Sequence, residues 1–348
     1  MQKKKVTIQD IANELGISRN TVSKALNNTG ILAESTKNKI LDKAAKMGYK
    51  QFAYINNNVS NVNMNKEIAL FTCSMPNRSH FGFHLLSGFE KDISSLGYKL
   101  SIYLIRDSEL KSCSLPLNFN DETTDGIICI EMFDNGYSKM LSSLGLPTLF
   151  IDSPVLNDSE SVQGDILLME NYHSVYKLTE TLIKNNKNKI GFVGDNYHCQ
   201  SFFERWKAYR DALLDNGLYR DDKYSVLEKD KNPYHDSAWL GNKIKELPEL
   251  PDAFICANDF IAINLIAALK SINISVPNDV LVCGFDNSTE SKIIEPNLTT
   301  VNIPSFEMGN TAADLLLSRI NNHDIPFRTV NMRTAVIFRD STGNNLIK

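Results

Sequence analysis

Residues 6–27 read VTIQDIANELGISRNTVSKALN, and this stretch contains two short helical patterns separated by a glycine. Thr7 and Asp10 have the spacing of a capping box, which predicts the start of a helix. Apolar residues then recur at helical intervals up to Gly16, which ends the pattern. Ser18 is a favourable N-cap for the second helix. Two short helices joined by such a turn are typical of a helix-turn-helix motif.

A third helical pattern completes the N-terminal region. Its apolar positions are Ile40, Leu41, Ala44 and Met47. Gly48 follows them and predicts the end of the helix. On amphipathicity alone, a small bundle with a solvated polar face would be the simpler interpretation. In a helix-turn-helix protein, however, the second helix lies in the major groove of DNA with its first side chains on the base edges.

The polar side chains of this region suit that geometry. Arg19 and Lys24 can pair with guanine O6 and N7, and Asn20 can pair with adenine N6 and N7. We predict that these three residues read bases. Short hydroxyl and amide side chains suit phosphate oxygens, which set the register of the protein on DNA. The candidates for phosphate contacts are Thr7, Ser18, Thr21, Ser23 and Asn27.

Charge is divided unevenly along the 348 residues. Residues 1–60 carry ten basic and four acidic side chains, a net charge of +6, and the remainder carries −10. This asymmetry indicates that only the basic head meets a polyanion. The 42% hydrophobic and 22% charged residues are ordinary for a globular protein. No apolar run approaches the roughly twenty residues that span a bilayer, and no signal peptide is evident, so we expect a cytoplasmic protein without a membrane partner.

The residues that could support catalysis or metal binding form no known motif. Six cysteines are scattered without a C-x-x-C pair, which favours buried thiols over a disulfide framework or a metal site. His80 and His84 are four residues apart but lack the H-E-x-x-H frame of a zinc site. The dinucleotide, phosphate-loop and G-x-S-x-G patterns are absent as well. We therefore predict no enzyme activity, no catalytic residue, no metal and no cofactor.

From Glu67 onward, short apolar runs alternate with helical patterns, which predicts doubly wound parallel sheets. The strand candidates are 68–73, 100–104, 126–130, 148–151, 190–193, 253–257, 280–283 and 335–338. The helix candidates are 85–96, 172–183, 205–214 and 258–269. So many strands favour two sheets over one. Ligands of such folds bind at the carboxyl ends of the strands, where Asp, Asn and Arg side chains of this chain could engage vicinal hydroxyls.

The quoted stretch resembles the DNA-binding head of the LacI/GalR (lactose-repressor/galactose-repressor) family of bacterial transcription regulators. That family's head reads V-T-I-x-D-V-A and then G-V-S-x-x-T-V-S-R-x-L-N, and residues 6–12 and 16–27 match it closely. The similarity continues with DGII at 125–128, AND at 257–259 and GFD at 284–286. The resemblance implies an all-α helix-turn-helix head and a two-lobed α/β core like that of periplasmic sugar-binding proteins, with three crossovers and a ligand in the cleft.

The resemblance also implies boundaries and site residues. The head is expected at 1–50, a hinge or linker at 51–65 and the effector-binding and dimerisation core at 66–348. The predicted lobe 1 is 66–162 with 302–328, and the predicted lobe 2 is 163–301 with 329–348. The effector-binding positions implied by the family's motifs are Arg205, Asn258 and Asp286, with Phe81 as a weaker candidate. Without the resemblance, Asp286 would be interpreted as a turn cap and Arg205 as part of a surface ion pair.

Two departures from the family pattern affect what can be inferred. Ser79 and His80 stand where many members have Asn-Pro, so the identity of the ligand does not carry over. Gln51 and Asn58 stand where the family has a Pro and the Leu that wedges into the minor groove. Residues 56–65 contain six asparagines, and two interpretations remain open. They form either a flexible linker or a hinge that orders on DNA. In the second case the replacement wedge would be Tyr54, Ile55 or Val59.

These observations together predict a ligand-responsive, sequence-specific regulator, a homodimeric repressor of carbohydrate-utilisation genes. It would bind a pseudo-palindromic DNA operator and a small-molecule effector, a sugar or sugar derivative, with nucleobases as a second ligand class. A dimer is expected rather than a tetramer because no leucine heptads follow Thr342. The alternatives are a sugar-binding receptor without DNA function and a sugar-acting α/β enzyme.

Overall fold

A computed structural model describes residues 6–26, 32–47, 66–75, 81–155, 162–219, 222–229 and 232–343. The chain divides into two compact units, Met1–Met64 and Asn65–Lys348, which we call the head and the core. Within the described ranges, no helix is long and apolar enough to cross a membrane. Each unit is described below by itself.

The head contains three helices, α1 (Ile8–Leu15), α2 (Arg19–Leu26) and α3 (Glu34–Lys46). The capping box at the start of α1 is confirmed, because the Thr7 N–H donates to Asp10 Oδ2 (2.8 Å) and the Asp10 N–H donates to Thr7 Oγ1 (3.3 Å). Gly16 ends α1 with φ +66°, a conformation that glycine adopts without strain. Ser18 Oγ accepts from the Thr21 N–H (3.1 Å) at the start of α2.

A small apolar core holds these helices together. Its fully buried members, among the described residues, are Ile11, Ala12, Val22, Ala25, Leu26, Ile40 and Ala44. They come from all three helices and recur at helical spacing, as the apolar pattern of the sequence predicts. Burial of one face leaves the opposite face of α2 in solvent.

The core contains eleven strands and eight helices in its described residues. The strands are β1 (Glu67–Thr72), β2 (Lys99–Leu104), β3 (Gly126–Ile130), β4 (Thr148–Ile151), β5 (Asp165–Met169), β6 (Ile190–Val193), β7 (Ala253–Cys256), β8 (Leu281–Cys283), β9 (Thr300–Asn302), β10 (Thr329–Met332) and β11 (Ala335–Ile337). The helices are α4 (Phe81–Ser95), α5 (Asp107–Ser112), α6 (Asn135–Ser142), α7 (Tyr172–Lys184), α8 (Gln200–Asp215), α9 (Ser237–Glu246), α10 (Asp259–Ser271) and α11 (Ser305–Asn321).

Two parallel sheets organise the core, which confirms the predicted doubly wound fold. The first has six strands in the order β10-β5-β4-β3-β1-β2, and the second has three in the order β6-β7-β8. All pairs within both sheets are parallel. The central strands β3 and β4 are buried along their whole length, as expected for strands covered on both faces. The strands β9 and β11 form a separate, antiparallel two-stranded sheet.

The predicted lobe boundaries need one correction. The sequence-based division put β5 and β10 in lobe 2, but β5 pairs with β4 and β10 pairs with β5, so both belong to the sheet of lobe 1. Backbone hydrogen bonds extend the sheet of lobe 1 beyond β4 to β5. The chain therefore first crosses from lobe 1 to lobe 2 after Met169, whereas the prediction placed this crossover before residue 163. The second crossover lies between β9 and α11, and the third lies between β10 and β11. We use lobe 1 and lobe 2 below in this corrected sense.

Four of the six cysteines are buried as expected, whereas Cys73 and Cys113 are exposed. Cys129, Cys256 and Cys283 are buried in strands, and Cys199 is buried next to α8. Cys73 was predicted to be buried in a strand but is exposed, because β1 ends at Thr72. Burial strongly disfavours a charged thiolate, so the four buried thiols are packing residues.

The helices α4 and α11 pack so closely that their backbones touch. A Cβ atom on Gly309 would lie 2.1 Å from the Leu85 carbonyl oxygen, and one on Gly88 would lie 2.3 Å from the Phe306 carbonyl oxygen. Only glycine permits this approach. The crossing fixes the positions of the first turns of both helices, which carry Phe81 and Phe306.

Candidate DNA-binding helix and effector cleft

The predicted base-reading residues lie on the solvent-exposed face of α2. Arg19 and Asn20 occupy its first turn and Lys24 its last, and all three side chains are exposed. Val22 and Ala25 on the opposite face are buried against the other helices. An exposed polar face on a helix held rigidly from behind can present donors to base edges.

Several predicted phosphate contacts already have hydrogen-bond partners within the head. The Thr7 hydroxyl donates to Asp10 Oδ2 (2.7 Å). The hydroxyls of Ser18 and Thr21 are 2.8 Å apart and share one hydrogen bond. Their phosphate-binding role stays a prediction, in which Thr7 must release Asp10 before its O–H can reach an anion. Asn27 lies outside the described residues.

Arg205 is almost completely buried in the cleft region. It lies on α8 and is 3% exposed. Its Nε donates to Asn171 Oδ1 (2.9 Å) and its Nη1 donates to the Ala257 carbonyl (2.7 Å). The guanidinium carbon lies 3.6 Å from the centre of the Phe285 ring. These contacts rule out the alternative of a surface ion pair and hold the guanidinium in one orientation.

The carboxylate of Asp286 faces this guanidinium. Asp286 Oδ1 lies 3.9 Å from Arg205 Nη1, and the Asp286 side chain is 15% exposed. The backbone of Asp286 has φ +122°, a region that favours glycine. Strain of this kind is typical of ligand clamps, where the surrounding structure holds the residue in place. The two predicted effector-binding residues are thus neighbours.

Asn258 and Asp259 connect the same region to the start of α10. Asn258 Oδ1 caps the helix by accepting from the Ile261 N–H (2.9 Å), so its amide N–H groups are the part that a ligand could use. The next residue, Asp259, accepts from the Ser288 N–H (2.8 Å) and the Thr300 hydroxyl (2.6 Å). Burial raises the pKa of the Asp259 carboxyl to about 6. Sequence reasoning placed Asp259 at a strand end but did not identify it as the support of the neighbouring loop.

A cavity of about 380 Å³ opens between the two lobes. It is lined from lobe 1 by Phe81, His84 and Phe306 and from lobe 2 by Asp286, Asn287, Ser288, Thr289, Lys292 and Asn302, among others. Phe81 and Asp286 therefore meet at one cavity. Arg205 and Asn258 are not among its lining residues, and Arg205 reaches it only through Asp286. The sequence analysis did not identify the cavity-lining positions after β9, because a strand of three residues gives no periodic signal.

The lobes also meet at the start of α8. Asp152 follows β4 in lobe 1, and its Oδ1 accepts from the N–H of Ser201 in lobe 2 (3.2 Å). The Gln200 N–H donates to the Ser153 carbonyl (2.9 Å). Burial raises the pKa of the Asp152 carboxyl, with hydrogen bonds and Arg205 acting in the opposite direction. The helix that carries Arg205 is therefore attached to the other lobe at its first turn.

Both units match known protein families. The description "Bacterial regulatory proteins, lacI family" fits residues 7–51, and "Periplasmic binding protein-like domain" fits residues 179–342. The chain combines a DNA-binding head of the LacI family with a periplasmic-binding-protein-like core. Because this family consists of DNA-binding regulators, the protein is a DNA-binding transcription regulator with a ligand-binding core.

Relatives match this chain over nearly its whole length. The HTH-type transcriptional regulator GalR of Streptococcus thermophilus is 28% identical over 345 residues, which covers 97% of this chain and 99% of that protein. The HTH-type transcriptional repressor PurR of Mannheimia succiniciproducens is 25% identical and covers 96% and 98%. Both relatives are regulators rather than enzymes.

Solved structures share the fold of this protein. The transcriptional regulator CelR in complex with cellobiose has a TM-score of 0.69 at 22% identity and covers 97% of this chain and 100% of that one. The lac repressor dimer bound to operator and the anti-inducer ONPF has a TM-score of 0.69 at 19% identity and covers 98% and 100%. At these identities the likeness establishes the architecture of the head and the two-lobed core.

Proposed function

We propose that this protein is a homodimeric repressor whose operator affinity is changed by a small molecule bound in the cleft between the lobes. Two copies of α2 would read the half-sites of a pseudo-palindromic operator, because two-fold symmetry of the protein requires two-fold symmetry of the site. Arg19, Asn20 and Lys24 would contact base edges. The effector would be a sugar or sugar derivative, and the genes that the repressor controls would serve carbohydrate utilisation.

The observation that carries this proposal is the pairing of buried Arg205 with Asp286 beside the cavity. A buried guanidinium is unfavourable unless its donors are satisfied, and Asn171 and Ala257 satisfy two of them. At 3.9 Å, the contact with Asp286 is too long for a hydrogen bond. Arg205 therefore acts as a buried cation next to Asp286, and a ligand hydroxyl in the cavity can donate to the Asp286 carboxylate.

The two walls of the cavity differ in the way that a sugar requires. Phe81 and Phe306 line it from lobe 1, and Asp286, Asn287 and Asn302 line it from lobe 2. A pyranose has apolar C–H faces for aromatic rings and polar edges for carboxylates and amides. The CelR complex contains cellobiose, and a LacI family regulator from Enterococcus faecium contains bound ribose, which supports this ligand class. Nucleobases are the second class, since they also stack on aromatic rings.

The contacts between the lobes suggest how binding is transmitted. A ligand that engages Asp286 and Phe81 at once favours closure of the cavity. The first turn of α8 is bonded to lobe 1 through Asp152, so closure is expected to alter this contact. Any change in operator affinity caused by the effector must be matched by an equal effect of operator on effector affinity.

The first experiment is selection of the full-length protein on a randomised duplex pool. Recovery of a palindrome is expected, and an effector screen by thermal shift with sugars, sugar acids and nucleobases then follows. Asp286→Ala should retain operator binding and lose the effector response. A variant that still responds normally would remove Asp286 from the site. Ligand binding without any DNA selection would indicate a receptor instead, and conversion of a sugar to product would indicate an enzyme.

A further inference from the structure

The chain enters the core beside the C-terminal end of α4. Lys66 is the last residue before β1, and it follows directly on the predicted linker, residues 51–65. Its Nζ donates to the carbonyl of Leu96 (2.7 Å), one residue beyond the end of α4. The same ammonium lies 5.7 Å from the centre of the Tyr98 ring. The side chain of Lys66 is thus bound to the turn that ends α4.

The main chain of Lys66 is fixed as well. Its carbonyl accepts from the Lys99 N–H (2.7 Å), which joins it to the start of β2. Its φ is +52°, in the left-handed region that residues other than glycine seldom occupy. Such a conformation persists only where the surrounding contacts hold it. The residue that follows the linker therefore has a defined backbone conformation.

The contact with Leu96 suits the end of a helix. The last carbonyls of a helix have no partner within the helix, and they carry a partial negative charge. Gly97 has φ +84° and turns the chain away, and a Cβ atom on it would lie 3.5 Å from Lys66 Nζ. An ammonium at this position satisfies one carbonyl and is attracted by the helix dipole.

The opposite end of α4 lines the cavity between the lobes. Phe81 and His84, in the first turn of α4, are among its lining residues. The helix has 15 residues and is about 22 Å long. A helix of this length curves only gently, so its two ends move together. A shift of α4 that begins at the cavity therefore displaces Leu96, and Lys66 with it.

We propose that Lys66 is a positioning residue that attaches the linker to α4, so that a shift of α4 at the cavity changes the spacing of the two DNA-binding heads. The inference rests on the proposed function, because it requires a dimer with an effector in this cavity. Each head reads one half-site, and the half-sites lie at a fixed separation. A firm attachment limits the separations that the heads can adopt, whereas a loose one permits more of them.

Three variants distinguish this role from a simple effect of charge. Lys66→Met keeps the apolar stem but removes the donor from Leu96. Lys66→Arg supplies a donor and a cation again and should restore wild-type behaviour. Lys99→Met is the matched control, because it removes one positive charge from the neighbouring strand, where the ammonium pairs with Glu67 (3.3 Å).

The first measurement uses the operator that the full-length wild type selects. It is compared with the same operator carrying one extra base pair between the half-sites, which moves them apart by about 3.4 Å. In competition binding at one salt concentration, the wild type, Lys66→Arg and Lys99→Met should bind the lengthened operator roughly tenfold or more less tightly. Lys66→Met should lose roughly threefold or less, because its heads adapt to the new spacing.

The second measurement tests the part played by α4. The new Cβ atom of Gly309→Ala meets the Leu85 carbonyl and should displace α4. In an otherwise wild-type chain, this should weaken operator binding roughly fivefold or more. Combined with Lys66→Met the further loss should be roughly twofold or less, whereas combined with Lys99→Met it should persist in full. Urea unfolding shows whether each variant is folded, and the spacing measurement alone decides the inference if Gly309→Ala is not.

Four outcomes would overturn the inference. Two concern spacing: equal losses in Lys66→Met and Lys99→Met, or no recovery in Lys66→Arg. The others are a folded Gly309→Ala that binds operator normally, and a Gly309→Ala effect of the same size with and without Lys66→Met. All four require a selected operator and so leave the proposed function intact. Failure of the wild type to select any operator would count against the proposed function itself, and against this inference with it.

Discussion

Replacing Arg205 by Met should weaken both the core and its response to effector. Methionine preserves much of the side-chain volume but removes every donor. The acceptors Asn171 Oδ1 and the Ala257 carbonyl would lose the bonds of 2.9 and 2.7 Å that Arg205 gives them. Asp286 would lose the cation 3.9 Å away.

The magnitude follows from these contacts. Each buried acceptor left without a donor costs roughly 1–3 kcal/mol. Part of this is offset because the variant no longer buries a guanidinium. The free energy of unfolding of the core should fall by about 2–4 kcal/mol, which corresponds to a melting temperature lower by roughly 5–10 °C for a unit of this size. Arg205→Lys keeps the charge but not the planar set of donors, so it should lose about half as much.

The assay combines urea unfolding with effector and operator titrations of full-length wild type, Arg205→Met and Arg205→Lys. Effector binding should be lost in Arg205→Met, whereas operator binding should persist, because the residues of α2 that read bases lie in the head. Unchanged stability in Arg205→Met would refute the structural role assigned to Arg205. Normal effector affinity in that variant would refute its place in the effector site.

Three further perturbations test other parts of the structure. Arg19→Ala should weaken binding to the cognate operator by roughly 1–3 kcal/mol and relax selection at one base position; equal weakening on all sequences, measured by competition binding, would contradict base reading. Burial raises the pKa of Asp259 to about 6 from its usual 3.8, so this carboxyl binds a proton more readily in the folded state than in the unfolded one. Core stability should therefore fall as pH rises from about 4 to 6 and level off above, and Asp259→Asn should abolish this slope in urea unfolding; an unchanged slope would assign it to another group. Gly309→Ala should destabilise the core by roughly 1–3 kcal/mol or more and reduce effector affinity, because the new Cβ meets the α4 backbone. Gly136→Ala, whose Cβ would meet only the Asp134 carboxylate oxygen at 3.4 Å, should be neutral or stabilising, and equal losses in the two variants would contradict the close helix contact.

The head could be predicted closely from the sequence because its signals are local. The capping box joins Thr7 and Asp10, three residues apart, and Gly16 ends α1 through its own backbone conformation. Such features act within one or two helical turns, so residue type and spacing are enough to specify them. The long match to a known head added the expected role of Arg19, Asn20 and Lys24.

The fold class of the core could be predicted from the sequence, but the pairing and connections of its strands could not. Apolar runs identified most strands, including β1, β3 and β4, but did not assign β5 and β10 to the sheet of lobe 1. Strand pairing depends on backbone hydrogen bonds between segments far apart in sequence, and β5 and β10 are separated by 160 residues. No local pattern encodes that choice, so the position of the first crossover was wrong.

The effector site, like the core, has features that the sequence predicted and others that only the structure showed. Sequence singled out Arg205, Asn258 and Asp286 through motif positions, but it could not show that Arg205 is buried. It also gave no sign that Lys66, 30 residues from Leu96, donates to the end of the helix that lines the cavity. Residue type determines which groups can donate and accept. Only the tertiary structure decides which of them meet, because the fold brings distant segments of the chain to one edge of a sheet.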